Sequence, residues 1–179
     1  MKIILKNILD DLNLSSDKIC KQKFSSKKCI NENLEYRERG SSTFYFDEKY
    51  KNESEFFKNI YIDEFEHKNL KSVDLLTLVN FKDEKNGRFY FIEVKSNLNC
   101  YKYEEIKNKL IDSIKKLDEV NFSHTNFKLT YYVIGNERQE CEYNSKTTLK
   151  LKNEIADIEF LDIPIGEIKI IKSDGIIDK

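Results

Sequence analysis

Ser72-Val73-Asp74-Leu75-Leu76-Thr77-Leu78-Val79 and, after a polar break, Phe89-Tyr90-Phe91-Ile92-Glu93-Val94-Lys95-Ser96 are the two stretches whose reading decides the fold. Each is an apolar run of strand length with charge at one end: Asp74 opens the first, and Glu93 and Lys95 close the second. The segment between them, Lys82-Asp83-Glu84-Lys85-Asn86-Gly87, is charged and ends in Asn-Gly, so the pair reads as an antiparallel hairpin. Side chains alternate across a strand, which puts Asp74 on the face of Leu76 and Leu78, and Glu93 and Lys95 on the face of Phe89 and Phe91. A turn centred on Glu84 and Lys85 sets Asp74 across from Lys95, with Glu93 as its diagonal neighbour. A slip of two residues keeps all three on one face, and a slip of one separates Asp74 from the others.

Two carboxylates held close together on a rigid sheet suit a hard divalent cation, Mg2+ or Mn2+, which prefers carboxylate oxygens and water. A lysine beside that cation can orient or deprotonate an attacking water, or neutralise charge on a pentacovalent phosphate. The expected chemistry is phosphodiester hydrolysis, with Asp74 and Glu93 as metal ligands and Asp74, Glu93 and Lys95 as the catalytic set. The tripeptide alone carries little weight in so charged a chain: Glu-x-Lys recurs at Glu66, Glu105 and Glu167, and Asp-x-Lys at Asp47 and Asp83. Position singles out Glu93, which closes an apolar run, follows a strand that begins with an acid, and precedes a helix. Glu167-Ile168-Lys169, with Asp157 or Asp162 upstream, is the strongest competitor, but no helix follows it.

These residues resemble the PD-(D/E)xK nucleases with their restriction-endonuclease-like core, over roughly residues 59 to 135. Asp74 matches the first acid of the motif, Glu93 the second and Lys95 the lysine; Ser96 is also common after that lysine, while Val73 stands where the family name has proline. The resemblance implies a divalent-metal-dependent nuclease leaving a 5′-phosphate and a 3′-hydroxyl, with DNA the favoured substrate over RNA, in restriction, repair or phage defence. It implies a further glutamate from a helix preceding the sheet, for which Glu32 and Glu35 are the candidates. Cutting both strands of a duplex needs two active sites, so a homodimer is expected. A rival reading of another class is a non-catalytic interaction module, an immunity protein or the partner subunit of a defence complex, which keeps the fold without the chemistry. A metal phosphohydrolase acting on nucleotides is disfavoured, because no glycine-rich phosphate loop is present.

At 179 residues the chain suits one domain with a real core. Twelve Phe and ten Tyr supply much of the burial, and one Pro and five Gly leave little room for flexible linkers. A net charge of −1 argues against a protein that coats nucleic acid nonspecifically. Local basic clusters remain, at Lys18, Lys21, Lys23, Lys27 and Lys28, and at Tyr101, Lys102, Tyr103, Lys107 and Lys109. Cys20, Cys29, Cys100 and Cys141 are far apart and lack a Cys-x-x-Cys pair, so neither a disulfide framework nor a zinc site is expected. His67 and His124 are too distant to form a histidine metal site. Charge interrupts the N-terminal apolar residues early, and no run approaches a membrane span, so the expected location is the cytoplasm.

Along the chain, the pattern predicts an amphipathic helix over 3–14 and a second, capped by Ser15 or Ser16, running toward Arg37. A break at Gly40-Ser41-Ser42, a short strand over 43–46 and a mildly helical 47–58 follow. A strand over 60–66 precedes the hairpin, whose strands are apolar on both faces and call for cover on both sides. A helix over 101–120 presents Tyr103, Ile106, Leu110, Ile114 and Leu117 on one face, and Phe127 to Ile134 returns as a strand. Residues 155–163 and 167–171 flank Pro164-Ile165-Gly166 as a terminal hairpin. The fold class read from this pattern is α/β (α+β): a single-domain restriction-endonuclease-like core, a mixed sheet with helices on both faces. Its parts are an N-terminal helical region (1–58), the core (59–135) and a C-terminal accessory β element (136–179).

Overall fold

The structure is a computed structural model that describes residues 28–30, 34–38, 43–60, 71–98, 103–117, 127–137, 145–160 and 162–179. The helix expected over 3–14, the Ser15/Ser16 cap, most of the strand expected over 60–66, Glu32, Glu66, His67, His124, Cys20, Cys100 and Cys141 lie outside the described residues.

Five strands form the central sheet: β4 (Ser54–Ile60), β5 (Leu75–Phe81), β6 (Gly87–Leu98), β7 (Phe127–Glu137) and β10 (Glu167–Lys172), in the spatial order β10-β7-β6-β5-β4. The first three in sequence, β4, β5 and β6, pair antiparallel. Helix α2 (Tyr103–Leu117) then carries the chain across to β7, which lies parallel to β6. Such a return needs a crossover long enough to span the sheet, which α2 supplies. All seven residues of β5 are buried, as a strand apolar on both faces requires.

Two hydrophobic cores lie on either side of this sheet. On one face Leu76, Leu78, Phe89, Phe91, Leu129, Tyr131 and Val133 pack against Ile106, Leu110, Ile114 and Leu117 of α2. Leu151 and Ile155 of α3 (Ser145–Ile155) join that core. On the other face Leu75, Val79, Tyr90, Ile92, Tyr132 and Ile134 meet Tyr36, Phe44, Phe46, Tyr50 and Ile177. That second layer is a four-stranded sheet, β1 (Lys28–Ile30), β2 (Glu35–Glu38), β3 (Phe44–Phe46) and β11 (Gly175–Ile177), with the one-turn helix α1 (Lys49–Asn52) beside it.

The structure therefore corrects the expectation of helices on both faces: among the described residues one face is covered by helices and the other by a sheet. The cause is the aromatic alternation of Phe44 and Phe46, which points two rings inward from an extended ribbon; Tyr36 stacks on Phe44 at 4.8 Å between ring centroids. Residues 35–38 are likewise strand and not the end of a helix, so the described part of the N-terminal region is mostly strand, with the single turn of α1 its one helix. The mildly helical 47–58 resolves into α1 and β4, which hydrogen-bonds along β5.

The expected terminal hairpin is also corrected. Only the two-residue pair β8 (Glu159–Phe160) and β9 (Ile163–Pro164) is antiparallel there, and β10 instead extends the central sheet, parallel to β7. A tight turn then passes the chain from one sheet to the other. Asp174 takes φ 63° and donates its N–H to the Thr43 carbonyl at 2.7 Å. A Cβ on Gly175 would lie 2.7 Å from the Lys172 carbonyl oxygen, so only glycine fits this close approach.

Candidate active site

The hairpin register brings the candidate residues to one place. Leu75 pairs with Ile92, which sets Asp74, the residue before β5, across from Glu93 rather than Lys95. The difference from the expected register is two residues, so the face is unchanged: Asp74, Glu93 and Lys95 all lie on the helix-covered side. Asp74 accepts a hydrogen bond through Oδ2 from the Val94 N–H at 2.7 Å, which ties the start of β5 to the end of β6. The β6–β7 ladder is irregular just beyond, between Lys95 and Leu98, a position where a bulge re-aims side chains.

Helix α2 fixes this corner from above. Ser113 Oγ accepts from the Val73 N–H at 2.8 Å and donates to the Lys109 carbonyl at 2.6 Å, so it anchors the residue preceding Asp74. Tyr131 of β7 donates to the Ile106 carbonyl at 2.8 Å and holds the first turns of the helix over the sheet. With the helix so placed, two more side chains reach the candidate residues. Lys109 Nζ lies 2.7 Å from Glu93 Oε1, and Glu105 Oε1 lies 2.8 Å from Lys95 Nζ, which is itself 2.9 Å from the same Glu93 oxygen. Glu105 and Lys109 are one helical turn apart, flanking Ile106 and Leu110 of the buried stripe.

Glu93 is fully buried, and although its Oε1 receives two ammonium groups, its Oε2 has no hydrogen-bond partner among the described residues. Burial first, and the charge of Asp74 second, push its carboxyl up to about 7 against the opposing pull of Lys109 and Lys95. For Lys95, burial works against the charged form but is outweighed by Glu93 and Glu105, and its pKa rises above the usual lysine range. Glu93 and Glu105 thus hold Lys95 in its charged form, able to donate a hydrogen bond or offset negative charge.

The raised Glu93 pKa has a definite sign in stability. Between an unfolded value of 4.5 and a folded value of about 7, the native state binds the extra proton, so this group's contribution is full below 4.5 and is lost as pH rises through 7. Glutamine mimics the protonated form. Glu93→Gln should therefore gain stability relative to the parent chain as pH rises from 4.5 to 7.5, by about 3 kcal/mol in all. Urea denaturation of both proteins at several pH values checks this, and a difference that stays flat or moves the other way refutes the assignment.

The remaining candidates are not at this corner. Glu35, on β2, alternates with the inward-facing Tyr36 and accepts from the Tyr45 hydroxyl at 3.3 Å on the outer side of the second sheet, remote from the helix-covered face. Glu167 and Lys169 are half exposed and pair with each other at 3.3 Å. Asp83 is exposed and binds Lys179, and Asp47 accepts from the Lys49 N–H at the start of α1. Sequence reading passed over Glu105 and Lys109 as partners of Glu93 and Lys95. Their i, i+4 spacing beside the apolar stripe of α2 was the available signal.

Asp74 and Glu93 are the residues able to hold a hard cation, and the orphaned Glu93 Oε2 is the observation that fits one: a buried carboxylate oxygen is costly to leave without a partner. Among the described residues no group of three or more His, Cys, Asp or Glu side chains is gathered for a metal, so water or substrate would complete the coordination. No helix among the described residues is long and apolar enough to cross a membrane. The chain matches no protein-family model, no curated protein and no solved structure.

Proposed function

We propose that this protein is a divalent-cation-dependent nuclease of the PD-(D/E)xK kind. The observation that carries the reading is the pairing of Asp74 with Glu93 across β5 and β6, with Lys95 on the same face and one buried Glu93 oxygen left without a partner. A magnesium or manganese ion at the two carboxylates would acidify a water and offset phosphate charge. Asp74 is held for this by the Val94 N–H, and Glu93 by its place on the strand and by two ammonium groups. Lys95, kept protonated by Glu93 and Glu105, supplies positive charge toward the phosphoryl oxygens as negative charge develops there. The order of three antiparallel strands, a helix and a parallel strand agrees with the core expected of such nucleases. DNA is the favoured substrate, and a duplex cut on both strands would engage two copies of the chain.

The test is direct: purified protein is incubated with single- and double-stranded DNA and RNA, with Mg2+ or Mn2+ and with a chelator. Cation-dependent cleavage yielding 5′-phosphate ends is the expected result; intact nucleic acid under every condition removes the proposal. One observation favours a second reading, a non-catalytic interaction module. Glu93 has no exposed surface, and its charge is already balanced by Lys95 and Lys109, as in a closed structural ion network. That reading expects no cleavage and a stoichiometric protein partner that co-purifies with the chain.

A further inference from the structure

Glu93 and its two lysines are not equivalent to each other in their tethering. Lys95 is held twice, by Glu93 at 2.9 Å and by Glu105 at 2.8 Å, so losing one contact leaves it anchored beside the site. Lys109 reaches in from α2 to Glu93 Oε1 at 2.7 Å, its one ion pair among the described residues, and its side chain retains more exposure than that of Lys95. Its neighbour on the helix, Lys107, turns the other way and pairs with Glu154 of α3 at 2.8 Å. This singly tethered ammonium shares with Lys95 the buried charge that a cation would otherwise offset, and it sits on a flexible stem able to leave.

We propose that Lys109 is a built-in stand-in for the cation at Glu93, stabilising the fold when no metal is bound and yielding its place on the carboxylate when one binds. The inference deepens the nuclease reading and rests on its cation site, though not on cleavage. A positive charge that must be displaced, and that repels a dication nearby, lowers the intrinsic affinity of the two carboxylates. The metal-free protein gains in return a second cation on the buried carboxylate, beside that of Lys95. Loading of the site is thereby made to depend on the prevailing cation concentration instead of being permanent.

Removing the ammonium while keeping the stem separates this role from a merely structural one. The full chain and its Lys109→Met variant are titrated with Mn2+ alone at pH 8, by calorimetry or by loss of the free-ion electron paramagnetic resonance signal, and melted with and without the ion. Lys109→Gln is the second variant, because its amide keeps a hydrogen bond to Glu93 Oε1 should the methionine protein not fold. Lys107→Met controls for net charge. Both Lys109 variants should bind Mn2+ roughly tenfold or more tightly than the parent, while Lys107→Met binds as the parent does. Their metal-free melting temperatures should fall and recover on addition of Mn2+, with a larger upward shift than the parent shows. Parent-like or weaker affinity in the Lys109 variants overturns the stand-in role and leaves the nuclease reading standing. Absence of Mn2+ binding by the parent and all variants removes the cation site itself, and this inference with it.

Discussion

Asp74→Asn is expected to lower the rate of cation-dependent cleavage by at least about 10³-fold while leaving the melting temperature within a few degrees of the parent. The two halves of this expectation have separate causes. An asparagine carbonyl oxygen can still accept from the Val94 N–H, which Asp74 Oδ2 receives at 2.7 Å, so the join between β5 and β6 survives the substitution. What is lost is a negative charge from a site whose proposed work is to hold a dication. The same charge is one of the influences that raise the Glu93 carboxyl, so the asparagine variant should also titrate Glu93 at lower pH than the parent does. Lys95→Ala should slow cleavage with cation binding retained, since the ammonium acts on the phosphate and is not a ligand. Single-turnover assays at saturating Mn2+, alongside thermal melts, measure all of this. Full activity in the asparagine protein would remove Asp74 from the mechanism and return the corner to an ion network.

Leu110→Asp is expected to unfold the protein. Leu110 is fully buried in the core between α2 and the sheet, where a carboxylate finds no partner, and the change also deletes the side chain's apolar contacts. Together these exceed about 4 to 5 kcal/mol, a large part of the 5 to 15 kcal/mol that typically separates folded from unfolded domains. The matching control is Leu149→Asp on α3, whose leucine is 59% exposed; it should change stability by no more than about 0.5 kcal/mol. Far-ultraviolet circular dichroism under urea distinguishes the pair. An unchanged transition for Leu110→Asp would mean that α2 does not cover the sheet, and the placement of Lys109 and Glu105 over Glu93 would fall with it.

The parts of the fold legible in the sequence are those where one residue type dominates a period. β5, β6 and β7 are near-continuous apolar runs, and α2 carries Ile106, Leu110, Ile114 and Leu117 at helical spacing, so their existence and order followed directly. The face shared by Asp74, Glu93 and Lys95 was legible because alternation along a strand is insensitive to a register error of two. Elements defined by pairing rather than composition were not. Glu35–Glu38 is three-quarters charged and is a strand because β3 hydrogen-bonds to it. Ser54–Ile60 carries no clean alternation and is held as a strand by β5. Helix α3 buries only Leu151 and Ile155 among its described side chains, too thin a stripe to stand out. The Glu105 and Lys109 contacts depend on where α2 crosses the sheet, which is set by the bonds of Ser113 to Val73 and of Tyr131 to Ile106, between residues far apart in the chain.

The turn at Asp174 and Gly175 also sets a timetable for synthesis. β11 lies parallel to β3, with Gly175 beside Phe44, so the two halves of that ladder are separated by nearly the whole described length of the chain. A ribosome therefore releases β3 long before its neighbour exists, and in the interval one edge of the second sheet, together with the Phe44 and Phe46 rings, awaits its final strand. The β4 to β7 layer can assemble earlier, from contacts closer in sequence, whereas closure over its other face depends on Gly175–Ile177, which follow all of those strands in the chain. Folding should accordingly show a slow final phase, in which the nascent protein already has the Asp74–Glu93 corner but not its full cover.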